Sequence, residues 1–279
     1  MRRTFVVAAV VTTCMAALPA TALGHTIKSF GPGSPGIGDP YFPFDGNGGY
    51  DAKHYDLAFT YASSAPEQDV SGKVTMLARS TQSLSSFDLD FAGDSVAAVR
   101  VDGRSADFAR AGQELVITPR RAIKRGAKFT VSVRFVSGPF TPAPDNDLPF
   151  GWFTTKDGSV TAGQPDQSQT IYPVNDHPAD KASYTISLDV PAGVDAVANG
   201  ELRSSSTRGG RTRSVYEMKE PMASELIQVT VGQLDVIQRG FVDGVRVRDV
   251  APSALAPQLE GALSHTPDNL RWMSERVGR

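Results

Sequence analysis

Apolar residues fall at every second position in one short run after another, and a period of two belongs to strands with one buried face. Tyr55, Leu57, Phe59 and Tyr61 form one such run, and Phe87, Leu89 and Phe91 alternate with Asp88 and Asp90. Phe129, Val131, Val133 and Phe135 alternate with Thr130, Ser132, Arg134 and Val136. Tyr184, Ile186, Leu188 and Val190 repeat the pattern, and Leu226, Val229 and Val231 follow it less strictly. Between these runs stand turn signals at hairpin-like spacing: Asp102-Gly103, Ala111-Gly112, Asp157-Gly158 and Gly209-Gly210. With 26 Gly and 19 Pro in 279 residues, the composition favours turns over long helices. The expected class is mainly β, an antiparallel β-sandwich of about a dozen short strands.

Both ends depart from this pattern. Arg2 and Arg3 precede the apolar run Phe5 to Val11, and Ala20-Thr21-Ala22 offers small residues at a cleavage site. Residues 1–22 therefore read as a secretory signal, and the mature chain as secreted and without a stable membrane span. Cys14, the single Cys, leaves with that signal, so no disulfide is expected. Residues 23–48 are rich in Gly and Pro without periodicity and read as an extended segment. A β domain is expected over 49–248. From 249 to 279 the period changes: Leu255, Leu259 and Leu263 recur every four residues, and Thr266-Pro267-Asp268 is a helix start. Leu270, Met273 and Val277 then mark one apolar stripe. One or two short helices follow the β domain, read as the first turns of a further domain.

The charge balance is close, with 28 Lys and Arg against 30 Asp and Glu, which leaves no field to gather nucleic acid. The basic stretches at Arg120 to Arg125 and Arg208 to Arg213 lack interleaved aromatics and read as solvated hairpin tips. Gly31-Pro32-Gly33-Ser34-Pro35-Gly36 has G-x-G-x-x-G spacing, but two prolines and no flanking strand and helix make it a flexible linker. Asp45-Gly46-Asn47-Gly48-Gly49-Tyr50-Asp51 lacks the distal Glu of a calcium loop and reads as a hydrogen-bonded turn. No two of His25, His54, His177 and His265 have H-E-x-x-H spacing, and no G-x-S-x-G is present. His177 stands in the dense polar cluster Asn175-Asp176-His177-Pro178 and reads as a turn histidine bonded to backbone.

One ordered set of motifs is more specific. Gln164-Pro165-Asp166 is followed by Tyr172-Pro173-Val174-Asn175-Asp176-His177-Pro178-Ala179-Asp180-Lys181-Ala182-Ser183-Tyr184. Gly151-Trp152-Phe153 precedes them, and Ala198-Asn199-Gly200-Glu201-Leu202 and Pro221-Met222-Ala223-Ser224, leading to Val231-Gly232, come after. This series resembles the aminopeptidase N family of zinc metallopeptidases, whose non-catalytic N-terminal domain carries T-Q-x-E-P and then F-P-C-x-D-x-P-x-x-K-A-x-F. Pro173, Asp176, Pro178, Lys181, Ala182 and Tyr184 fall on the second pattern. The family's Cys is Val174 here, the Glu before the second Pro is His177, and the Tyr after P-M-x-S is Glu225.

The resemblance implies a saddle-like β domain joined to a thermolysin-like catalytic domain that this chain does not contain. G-x-M-E-N and H-E-x-x-H are both absent, so the zinc of the full-length family has no ligands here, and the chain alone is expected to be inactive. The resemblance places Gln164 and Asp166 at the positions that hold the protonated amino terminus of a peptide substrate; a purely loop-capping role for both stays open. Pro173, Asp176, Pro178 and Lys181 are implied to be structural, with Asp176 and Lys181 supporting that loop by an ion pair or backbone bonds. The competing class is a stand-alone secreted β-sandwich module that binds carbohydrate or protein.

Overall fold

The computed structural model describes residues 29–62, 70–137, 151–155 and 158–278; the expected signal segment 1–22 and residues 23–28 lie outside these. The alternating runs pair into an eight-stranded sheet. In spatial order its strands are Glu201–Arg208, Arg211–Met222, Ala182–Pro191, Tyr50–Tyr61, Val70–Ser80, Lys128–Ser137, Ser95–Val101 and Arg104–Ser105. All neighbours are antiparallel except the central pair, where Ala182–Pro191 runs parallel to Tyr50–Tyr61 with Ile186 opposite Leu57. Two four-stranded sheets cover one face of it, and a separate hairpin follows. The opposite face carries exposed Asp56, Thr60, Lys73 and Arg134.

The buried face is continuous because the strand corrects its own phase. Tyr50 and Ala52 are buried at even positions, whereas Tyr55, Leu57, Phe59 and Tyr61 are buried at odd ones. The pairing with Val70–Ser80 slips between Ala52 and His54. An extra residue there lets both halves of the strand face the same core.

Aromatic side chains join the layers, and each fully buried one contributes on the order of 1.5–3 kcal/mol. The first small sheet, of Gly31–Pro32, Leu84–Asp90, Glu114–Thr118 and Asp107–Ala111, docks through Phe87. Its ring meets Phe129 at 5.3 Å and Tyr50 at 5.8 Å between centroids. The second small sheet, of Gly151–Thr155, Gly158–Ala162, Val229–Gly232 and Asp195–Ala198, docks through Trp152. That indole lies edge-on to Phe59 at 5.4 Å and to Tyr61 at 5.8 Å.

The N-terminal segment differs from the expectation of a flexible linker. Gly31–Pro32 pairs with the strand Leu84–Asp90 in parallel, and Gly33 N–H donates to Ser86 O at 2.9 Å. The chain then folds across the outer face of the first small sheet, tied by Gly48 N–H to Ser34 O at 2.9 Å and Gln113 Nε2 to Phe44 O at 2.6 Å. Gly46 has φ +64°, and a Cβ there would stand 2.6 Å from Cβ of His177. The glycine is required both for its backbone conformation and for this close approach.

At the other end, Leu234–Val242 and Val245–Pro252 form a hairpin that continues through the expected boundary at 248. Two helices follow, α1 (Ala256–Leu263) and α2 (Thr266–Val277), each with a proline in its first turn. Arg239 of the hairpin is the tie. Its Nε donates to Asp249 Oδ2 at 2.6 Å, and its two terminal nitrogens reach both oxygens of Glu260 in α1 at 2.8 and 2.7 Å. An open cleft of about 870 Å³ separates the hairpin from the main sheet, with Leu263 and Leu270 among its walls. No residue of α2 is fully buried.

Candidate functional site

The loop Gln164-Pro165-Asp166 leaves the second small sheet after Gly158–Ala162 and leads, through a 3-10 turn over Ser168–Thr170, towards the central strand Ala182–Pro191. Its first peptide bond, Gln164-Pro165, is cis. Gln167 N–H closes the turn onto Gly163 O at 2.8 Å, and Thr170 Oγ1 donates to Gln167 O at 2.6 Å. Gly163 gives the loop passage: a Cβ there would lie 2.7 Å from Ser168 Oγ and 3.0 Å from Glu225 O. Gln164 is exposed and Asp166 half-buried.

Asp166 is held rather than free. Gln167 Nε2 donates to its Oδ1 at 2.9 Å, and Gln169 Nε2 donates to its carbonyl at 3.0 Å. The Gln167 amide thus fixes the side chain of Asp166 and the Gln169 amide its main chain, both through neutral donors.

Behind the loop is a buried polar network. Asp176, 2 % exposed, accepts Gln169 N–H on Oδ2 at 2.9 Å and Ser224 Oγ on Oδ1 at 2.7 Å. Its own N–H donates to Asp90 Oδ2 at 2.7 Å. Asp176 therefore connects the loop to the segment Ser224–Leu226 and to the first small sheet. Burial pushes its carboxyl up to about 7, against the lowering effect of the Ser224 and Gln169 bonds. The main chain here continues the sheet: Asp90 and Val174 exchange N–H to O bonds of 2.8 and 3.0 Å, and Asn175 N–H donates to Tyr55 OH at 3.1 Å.

Asn175 and Asp180 tie the same region to the N-terminal segment. Asn175 Oδ1 accepts Asn47 N–H, its Nδ2 donates to Asp180, and Asp180 accepts Ala52 N–H at 3.1 and 3.2 Å. Ala179 N–H donates to His177 Nδ1 at 3.1 Å, which leaves the ring proton on Nε2, 3.4 Å from Asp39 Oδ2. Asp45 lies in the same cluster; burial, and then the charge of Asp166, push its carboxyl up to about 6.

The residues expected to matter thus sit in different places. Gln164 and Asp166 lie at the loop, while Pro173 and Asp176 are buried behind it. Pro178 and Lys181 are exposed, and Lys181 forms no ion pair with Asp176. Asp176 supports the loop through Gln169 N–H instead. Sequence reasoning missed Gln169, Asp90, Asn47 and Asp180; nothing in their spacing announces a shared network, because they come from four separate stretches. Ser224 was visible only as part of the P-M-A-S motif. Among the described residues no group of three or more His, Cys, Asp or Glu side chains is arranged to hold a metal, so the residues present do not fit a zinc site.

Known proteins agree with this architecture. The family model of the Peptidase M1 N-terminal domain matches residues 51–226, well over half of the chain. Aminopeptidase M1 of Arabidopsis thaliana is 29 % identical over 108 residues, 39 % of this chain and 12 % of the relative. Aminopeptidase M1-A of Oryza sativa subsp. japonica is 32 % identical over 94 residues, 33 % of this chain and 11 % of the relative. The crystal structure of an M1 zinc metallopeptidase from Deinococcus radiodurans superposes with a TM-score of 0.70 at 26 % identity, covering 78 % of this chain and 51 % of that one. A variant of that enzyme reaches 0.76 at 26 % identity, covering 87 % and 57 %. The chain therefore spans about a tenth of the plant relatives and about half of the bacterial ones. With its β architecture and ordered motifs, the match over residues 51–226 shows that this chain belongs to the M1 peptidase family and carries that family's N-terminal domain.

Proposed function

We propose that this chain is the substrate-side domain of a secreted M1 aminopeptidase, in which Gln164 and Asp166 help hold the protonated amino terminus of a peptide. The zinc-dependent cleavage belongs to a catalytic domain outside the matched region, and no hydrolytic step is assigned to the residues described here. One observation carries the reading: the half-buried Asp166 is fixed at its carboxylate by Gln167 and at its carbonyl by Gln169, on a loop braced from behind by buried Asp176. A carboxylate fixed in place suits an ammonium group. The D. radiodurans metallopeptidase has been solved with a Tyr-Ser-Ala substrate, and that structure superposes with a TM-score of 0.71. The stand-alone carbohydrate- or protein-binding sandwich has no comparable support.

The test uses the full-length enzyme. Loss of a charge-assisted hydrogen bond costs about 1.5–3 kcal/mol, so Asp166→Asn is expected to lower kcat/KM for peptides with a free amino terminus roughly ten- to a hundredfold. Unchanged kcat/KM at unchanged Tm would reduce Asp166 to a loop residue. The chain alone is expected to release no amino acid from aminoacyl substrates, and turnover by it would sink the assignment of chemistry to the other domain. For export, amino-terminal sequencing of the extracellular protein is expected to start at Leu23; intact Met1 would refute the signal.

A further inference from the structure

Four oxygen atoms without a well-aligned hydrogen-bond donor lie beneath the N-terminal segment. Asp90 and Glu114 are register partners on the paired strands Leu84–Asp90 and Glu114–Thr118, so their side chains share the outer face of the first small sheet. They are 0 % and 8 % exposed. Oδ1 of Asp90, both carboxyl oxygens of Glu114, and Oδ1 of Asn47 are sealed from solvent without a well-aligned partner, and the Asn47 side chain stands close to Glu114. The second oxygen of Asp90 is fully used, accepting Asn47 Nδ2 at 3.0 Å and Asp176 N–H at 2.7 Å.

The charges around this site are mostly of one sign. Asp88 stands on the same face of the same strand, Asp45 comes from the covering segment, and Asp176 from the stretch behind the loop. Asp180 lies one layer further, bonded to Asn175. The nearby cationic groups are engaged elsewhere. Arg110 donates to Phe91 O at 2.6 Å and Gly93 O at 3.3 Å and lies over the Phe91 ring, while His177 faces Asp39. No Lys or Arg among the described residues forms an ion pair with Asp90 or Glu114. Two adjacent carboxylates sealed from water cannot both stay ionised without a counter-ion. The side chains here are not arranged for a metal. A proton supplies the missing donor.

We propose that Asp90 and Glu114 share a proton, and that this acid–carboxylate pair is a latch that holds Gly33 to Asn47 over the small sheet and releases it as pH rises. Held by either carboxyl, the proton turns one acceptor into a donor and removes one negative charge from the site. Burial, with the neighbouring carboxylates behind it, raises the carboxyl of Asp90 to about 8 and that of Glu114 to about 7, against the lowering effects of Asp176 N–H on Asp90 and of Asn47 on Glu114. In the open segment both meet water and ionise near the ordinary value of about 4. The closed form therefore binds more protons than the open form between about pH 4 and about pH 8. Its advantage is complete below that window and is lost across it as pH rises, tenfold in the opening equilibrium per pH unit for one proton. Asp45, Asp88, Asp176 and Asp180 are raised as well and add to the slope, so the pair must be isolated by substitution. The latch stands whether or not Asp166 meets a substrate.

The experiment is hydrogen exchange of residues 33–48 in this chain between about pH 6 and about pH 9, corrected for intrinsic rates, with and without Glu114→Gln. The amide keeps a permanent donor beside Asp90. The opening equilibrium of the unmodified chain is expected to rise on the order of tenfold or more with pH, and that of Glu114→Gln to rise at least about threefold less, the remainder coming from the other raised carboxyls; an equal rise in both overturns the proposal. Opening that is independent of pH in the unmodified chain overturns the proposal. So does millimolar calcium or magnesium restoring protection at high pH, which would make the occupant a cation. If Glu114→Gln does not fold, carboxyl ¹³C shifts of the unmodified chain decide: a proton retained by the pair at pH 6 supports the latch, and two titrations near 4 reject it.

Discussion

The two ends of this domain are built on opposite principles. The N-terminal segment contributes Asp45 and Asn47, 8 % and 1 % exposed, to a buried polar network that reaches Asp90, Asp176 and the Gln164-Asp166 loop. The C-terminal helices bury almost nothing: Trp272 is 54 % exposed and Val277 74 %. A fork from Arg239 to Glu260 ties α1 to the hairpin, beside a cleft of about 870 Å³. A Gly/Pro-rich stretch without periodicity is thus integral to the fold, while the clearest amphipathic helix lies loosely upon it. Periodicity reports which face of an element is apolar, and says nothing of whether that face is covered.

The contrast can be broken from either side. The largest effect belongs to the core beneath both small sheets. Trp152→Ala removes a fully buried ring packed on Phe59 and Tyr61 and is expected to cost about 3–5 kcal/mol in chemical denaturation. Next comes the network: Asp176→Ala leaves Gln169 N–H and Ser224 Oγ without their acceptor and is expected to cost about 2–3 kcal/mol. A loss below about 0.5 kcal/mol would mean that the network is cosmetic and that the loop holds itself.

At the other end, Arg239→Ala is expected to leave the main transition in place while limited proteolysis after residue 252 becomes faster. Protease resistance equal to that of the unmodified chain would show that the hairpin and helices dock without the fork. The smallest effect is Trp272→Ala, expected to change stability by no more than about 0.5 kcal/mol, since the residue is largely exposed and its ring lies under Arg276 of its own helix. A loss several times larger would mean that α2 is packed in solution.

The strands from Tyr50 to Val231 were legible because alternation is local: each residue's face follows from its neighbours'. The Lys53 bulge was not, since a one-residue slip has no compositional mark, yet without it Tyr50 and Tyr55 would face opposite ways. The parallel pairing of Ala182–Pro191 with Tyr50–Tyr61 was equally invisible, because it joins strands more than a hundred residues apart. At the loop, Gln164 and Asp166 were found through ordered motifs, whereas Gln167 and Gln169, which fix Asp166, carry no signal of their own.

What the sequence by itself determined is the class of fold, where its main strands fall along the chain, the turn at Gly209-Gly210 and the helix start at Thr266-Pro267. Each depends on dihedral preference and on which side of an element is apolar, properties a short stretch carries within itself. What only the tertiary structure decided is the state of Asp88, Asp90 and Glu114. On strands that alternate with buried Phe87, Leu89 and Leu115, such carboxylates ordinarily point into water. Here a segment from forty residues earlier crosses that face and closes it. Solvation is a property of everything packed around a group, so no local pattern could mark these as buried acids rather than surface ones.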